Sequence, residues 1–154
     1  MTRVLVLNGP NLASLGRREM ALYGTATLAD VERSLRARAT ELGVDLRCEQ
    51  SNHEGALVDL LEEEAYRAQG VVMNLGALSH TSIVLVDAVR TFPGPVIEVH
   101  ISNIHAREPY RARSLTGAAA LGVITGLGVH GYVLALEALV RLIETESEKQ
   151  GATA

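Results

Sequence analysis

The chain has 154 residues, the size of one domain around one core, and its 47% hydrophobic and 21% charged residues exclude a disordered polypeptide. No apolar run approaches the ~18–20 residues that cross a bilayer, the Val4–Leu7 stretch is too short for a signal peptide, and the single cysteine, Cys48, excludes an internal disulfide. Fourteen Lys and Arg against eighteen Asp and Glu give a net charge of −4, which argues against a nucleic-acid face and leaves a cytoplasmic chain as the expectation.

Arg3–Asn8 is a short apolar run ended by turn residues, the signal of a buried strand. Asn8-Gly9-Pro10-Asn11 opens a long loop that runs through Leu12–Tyr23 without periodicity. Thr27, with Asp30 three residues on, caps a helix whose Leu28, Val31, Leu35 and Leu42 fall at helical spacing, and Gly43 stops it. Val44, Leu46 and Cys48 alternate with polar residues, so the second strand is expected at an edge. Ala56–Gln69 reads as a helix, with Glu62-Glu63-Glu64 on its solvated face and Gly70 ending it. Val71–Asn74 is the third strand, and the loop Gly76–Ser82 leads to a helix at Ile83–Thr91, ended by Pro93-Gly94-Pro95. Val96–His100 is the fourth strand, and Ser102–Ser114 is a long polar loop. Ala118–Thr125 reads as a fifth strand, Gly126-Leu127-Gly128 as a turn, and Gly131–Glu148 as the last helix, with a tail frayed after about residue 146.

Five βα units predict a doubly wound parallel sheet, flavodoxin-like, in the order 2-1-3-4-5, with helices on both faces. Fourteen glycines and only 3% aromatics suit the tight turns of such a fold. In these sheets ligands bind beyond the carboxyl ends of the strands. Asn8, Asn11, Arg17, Arg18 and Tyr23 follow the first strand, and Asn74, Ser79, His80, Thr81 and Ser82 follow the third. Glu98 and His100 end the fourth, with Ser102, Asn103, His105, Arg107 and Arg111 beyond. This concentration of amides, imidazoles, hydroxyls and guanidiniums suits a small anionic, polyhydroxylated ligand.

Four blocks, in order, give the chain a specific resemblance. Asn8-Gly9-Pro10-Asn11-Leu12 with Leu15-Gly16-Arg17-Arg18-Glu19 and Tyr23-Gly24 resembles the N-terminal signature of the type II 3-dehydroquinate dehydratases. Asn74–Ser82 resembles their central block, Ile97–Asn103 with Arg107 and Arg111 the third, and Gly126–Gly128 with Gly131-Tyr132 the C-terminal turn. The resemblance implies a flavodoxin-like enzyme that dehydrates 3-dehydroquinate to 3-dehydroshikimate without metal, cofactor or Schiff-base lysine. It also implies a dodecamer built from trimers. The only lysine, Lys149, lies in the tail.

By that resemblance Tyr23 is the base. A phenol ordinarily ionises near pH ~10, so guanidiniums must favour its ionised form, and Arg18 and Arg107 are the candidates. Arg18 is expected to close over substrate, while Arg17 reads as a surface charge. Asn11 is expected to place a water at the developing enolate oxygen. The resemblance implies that His100 protonates the departing hydroxyl, and Glu98, on the same side of the strand two residues earlier, is expected to orient it. The backbone N–H groups of Ile101 and Ser102, with the Ser102 hydroxyl, are expected to take the substrate carboxylate. Asn74, His80 and Arg111 are expected on its hydroxyls, and the resemblance implies that Asp87 reaches it from a neighbouring subunit. No metal-ligand spacing stands out, and Cys48 reads as a small core residue.

Four readings compete with dehydration in the shikimate pathway, one of them a non-catalytic protein on this fold, which the filled catalytic positions disfavour. Quinate breakdown uses the same reaction. A flavodoxin-like binding module would share the fold, but no phosphate cradle follows the first strand. A receiver-type signalling domain would need an acidic pair where Asn8 and Asn11 stand.

Overall fold

The computed structural model describes residues 1–153. The strands are β1 (Arg3–Asn8), β2 (Asp45–Gln50), β3 (Gly70–Asn74), β4 (Val96–His100) and β5 (Gly122–Thr125). The helices are α1 (Met20–Tyr23), α2 (Leu28–Leu42), α3 (Glu54–Glu64), α4 (Ile83–Thr91), α5 (Leu115–Ala119) and α6 (His130–Thr153). The strands pair in parallel in the order β2-β1-β3-β4-β5, as the sequence predicts. The chain runs outward from β1 to β2 and then crosses back to β3, so the order switches beside β1.

Strand periodicity divides the core between two faces. Val4, Val6, Val72, Ile97 and Val99 pack with Val31 and Leu35 of α2 and with Ala135, Leu136 and Leu139 of α6. Leu5, Leu7, Val71, Met73 and Val96 pack with Leu57 and Leu61 of α3 and with Leu85 and Val89 of α4. β1 and β3 are central, so both faces are covered and their sequences are nearly continuous apolar runs. β2 lies at the edge and alternates, with Cys48 half-buried against the α2–α6 face. Burial pushes the Cys48 thiol up to about 12, which fits a packing residue.

Local chemistry sets the ends of these elements. α2 starts at the expected capping box, in which the Thr27 hydroxyl accepts the Asp30 N–H at 3.1 Å and the Asp30 carboxylate accepts the Thr27 N–H at 2.9 Å. Gly9 must be glycine: a Cβ there would lie 2.5 Å from the Leu75 carbonyl oxygen, and its N–H donates to the Asn74 carbonyl at 2.8 Å. The loop after β1 is thereby tied to the turn after β3.

The structure departs from the sequence reading at several places. Ala118 and Ala119 belong to α5 rather than to the fifth strand, because the Ser114 hydroxyl caps this helix and alanine favours it. β5 is therefore only Gly122–Thr125. α3 ends at Glu64 rather than Gln69, where one carbonyl takes the N–H groups of both Arg67 and Ala68. Glu64 itself is fully buried and not solvated. Arg3 donates to it at 3.0 and 2.9 Å and Arg47 at 2.6 Å, so two guanidiniums replace the lost water. The loops Leu12–Tyr23 and Ser102–Ser114 are wound into short turns at Leu12–Ser14, α1, Ile104–Ala106 and Pro109–Arg111. α6 stays helical to Thr153, past the expected fraying point, although its side chains beyond Ile143 are exposed. Among the described residues no helix is long and apolar enough to cross a membrane.

Candidate active site

The strand ends meet in register. Asn8 pairs with Gln50 on one side and Asn74 on the other, and His100 pairs with Thr125. The loops that leave this edge enclose a cleft. Asn11, Arg18 and Tyr23 line it from the loop after β1. Asn74 and His80 line it from the end of β3 and the turn beyond, and His100, Ile101, Arg107 and Arg111 from β4 and its loop.

Tyr23 closes the single turn of α1, half-buried. Arg107 donates to its hydroxyl oxygen at 2.7 Å and Arg18 at 3.4 Å. Both guanidiniums also lie over its ring, 4.5 Å from the centroid for Arg18 and 5.4 Å for Arg107. Two positive groups from different loops therefore converge on one phenol oxygen. The Arg107 side chain is only 8% exposed and also donates to the Ser102 hydroxyl at 3.2 Å. Its carboxylate neighbours, Glu19 and Glu108, stand farther off at 3.7 and 3.6 Å. Arg17 is exposed, in keeping with a surface charge.

His100, 5% exposed, lines the same cleft as Tyr23 from the end of β4. Its Nε2 is 2.8 Å from Glu98 Oε2; a carboxylate only accepts, so Nε2 carries a proton and Nδ1 is left for the cleft. Glu98 is fully buried, and it also accepts from Ser114 at 2.6 Å and from Thr116. Burial pushes its carboxyl up, but the hydrogen bond and charge of His100 and the two hydroxyls outweigh this and hold it below the usual carboxylate range. The His80 ring stacks on His100 at 6.0 Å and 23°, and its Nδ1 donates to the Arg113 carbonyl at 2.8 Å.

Asn11 has φ 69°, the left-handed region that asparagine tolerates better than most residues. Its N–H donates to Asn52 at 3.0 Å, which leaves the side chain to the cleft. Asn74 is set by a buried chain of bonds. Its Nδ2 donates to the Tyr132 hydroxyl at 2.9 Å, Tyr132 donates to Asn8 Oδ1 at 2.6 Å, and Asn74 Oδ1 accepts the Gly76 N–H at 3.2 Å. Burial pushes the Tyr132 phenol well up, so it remains a donor. Arg111 Nε lies 3.2 Å from Glu108 without a hydrogen-bond alignment.

Eleven of the twelve site residues expected from the sequence thus gather at one edge of the sheet. Asp87 does not; it is exposed on α4 and lines a separate groove with Val58, Tyr66 and Val84. Sequence reasoning missed Ser114, Thr116 and the hydroxyl role of Tyr132. The first two signal only as a helix start, because nothing local connects them to Glu98 sixteen and eighteen residues away. Among the described residues no three His, Cys, Asp or Glu side chains group as a metal site would require. The cleft carries a phenol under two guanidiniums and an imidazole held by a buried carboxylate, which suits proton transfer on an anionic substrate.

A family model described as Dehydroquinase class II matches residues 2–140. A 3-dehydroquinate dehydratase of Chelativorans is 56% identical over 137 residues, 88% of this chain and 94% of the relative. A Ralstonia nicotianae protein, 3-dehydroquinate dehydratase 2, is 56% identical over 146 residues, 91% and 94% of the two chains. The crystal structure of a type II dehydroquinase from Propionibacterium acnes superposes with a TM-score of 0.88 at 43% identity, covering 92% of this chain and 97% of the other.

Proposed function

The chain belongs to the class II dehydroquinases, which makes it a hydro-lyase acting on 3-dehydroquinate, and from this premise we propose how its own residues carry out the dehydration. The observation that carries the reading is the placing of two guanidiniums on the Tyr23 oxygen, across the cleft from a His100 held by Glu98.

Tyr23, as phenolate, takes the proton alpha to the ketone. Its negative charge is shared with Arg107 and Arg18 until the proton arrives. The electron pair of the broken C–H bond moves onto the ketone oxygen as an enolate, which a water held by Asn11 stabilises. The enolate then expels the beta hydroxyl, and His100 delivers the proton from Nδ1, so that the group leaves as water. The proton on Tyr23 returns to His100 to complete the cycle. The substrate carboxylate sits on the Ile101 and Ser102 N–H groups and the Ser102 hydroxyl. Asn74, His80 and Arg111 take the ring hydroxyls. We place the work in one catalytic domain of a cytoplasmic protein.

The proposed assembly is a dodecamer built from trimers, and its support is the groove around Asp87. The groove is apolar and displays Tyr66 at 96% exposure, which suits contact with another copy. Asp87 of that copy would then reach the substrate. The reading needs no metal or cofactor. The test is ultraviolet absorbance of protein mixed with 3-dehydroquinate in chelator, without additions. Growth of the conjugated enone of 3-dehydroshikimate is expected; a flat trace from folded, assembled protein would contradict the reading.

A further inference from the structure

Buried carboxylates are costly unless every oxygen is satisfied. Glu98 has no exposed surface, and its two oxygens are divided between β4 and the start of α5. Oε2 takes His100 Nε2 at 2.8 Å and the Ser114 hydroxyl at 2.6 Å, while Oε1 takes the Thr116 hydroxyl. The direction of these hydroxyl bonds is fixed. An ionised carboxylate only accepts, so both hydroxyls turn their protons to Glu98, and Ser114 Oγ also accepts the Gly117 N–H at 2.9 Å. Gly117 lets the helix start come this close: a Cβ there would lie 2.7 Å from Glu98 Oε2.

We propose that Thr116 and Ser114 are positioning residues for the dehydration, holding Glu98 ionised and in place so that it in turn fixes His100 with Nδ1 toward the substrate. The proposal rests on the reading of His100 as the proton donor. Neither hydroxyl lines the cleft, so neither touches substrate; both act through Glu98. β3, β5 and α5 carry no titratable or charged residue against the carboxylate. The groups that bear on the pair are His100 itself, His80 stacked on it, and Arg107, Arg111, Arg18 and Tyr23 across the cleft. Arg113, just before Ser114, is exposed and offers its carbonyl to His80.

The sign of the pH effect follows from the hydroxyl donors. They favour the charged carboxylate, so activity that depends on Glu98 is present above its ionisation and lost as pH falls through it. Removing a donor raises that point, and the acidic limb of the kcat profile moves to higher pH.

The test uses Thr116→Val, which keeps shape, and Thr116→Ser, which keeps the hydroxyl. Valine is expected to lower kcat about ten- to a hundredfold, the loss of one hydrogen bond to a charged group, with KM little changed. It should also move the acidic limb upward, and serine should restore both. The same substitution in a His100→Gln background should cost little more, since both act on one step. Unchanged kcat and acidic limb in folded Thr116→Val protein would overturn the proposal. So would equal losses by Thr116→Val with and without His100. Full turnover in His100→Gln alone would instead overturn the reading of His100, which keeps the two failures apart.

Discussion

Arg107 is the residue on which most of the site converges. It is nearly buried, and its Nη1 bridges the Tyr23 oxygen and the Ser102 hydroxyl. The guanidinium stem is long enough to set this one nitrogen between both partners; a lysine ammonium ends one atom sooner along the side chain and falls short of them. Arg107→Lys is therefore expected to lower kcat about ten- to a hundredfold while the circular dichroism spectrum is unchanged. Near wild-type kcat would show that charge alone suffices at Tyr23. Arg18, on the loop after β1, is a looser partner of the Tyr23 oxygen at 3.4 Å.

At the scale of elements, the ends of β1, β3 and α6 are held by the Asn8–Tyr132–Asn74 chain. Tyr132→Phe would leave Asn8 Oδ1 and Asn74 Nδ2 buried without that partner, and Asn8 Nδ2 already has none. Urea unfolding is expected to show a loss of about 1–3 kcal/mol, with weaker substrate binding because Asn74 is freed to turn. A variant as stable as the parent would show that the hydroxyl is not needed. Elements whose signal is local were legible in the sequence. The apolar runs of β1, β3 and β4, the Thr27–Asp30 box and the alternation of β2 all act within a few residues. The start of β5 was not, because the five-residue helix Leu115–Ala119 is too short to show a helical period and its deciding cap, Ser114, reads as the end of a polar loop. Glu64 was misread for a related reason: its partners Arg3 and Arg47 are brought to it only by the sheet. The site edge was legible because polar residues ended three predicted strands. The Glu98 cradle was not, since α5 reaches β4 only in the folded chain.

At the scale of the molecule, the candidate active-site cleft and the groove around Asp87 are separate surfaces of one chain, and the proposed assembly connects them between copies. Val84 is 51% exposed in that groove. A charge there would be trapped in an apolar contact, so Val84→Asp is expected to yield smaller species in sedimentation velocity and a raised KM. An intact assembly would place the contact elsewhere, and full affinity in a dissociated chain would remove Asp87 from the site. The proposed chemistry turns on Tyr23. The most direct measurement compares wild-type and Tyr23→Phe protein, following enone absorbance after mixing with 3-dehydroquinate and binding by calorimetry. The account predicts turnover reduced by at least about a hundredfold, the scale of a lost general base, with substrate affinity and assembly retained. Turnover close to wild type in the phenylalanine variant would contradict it.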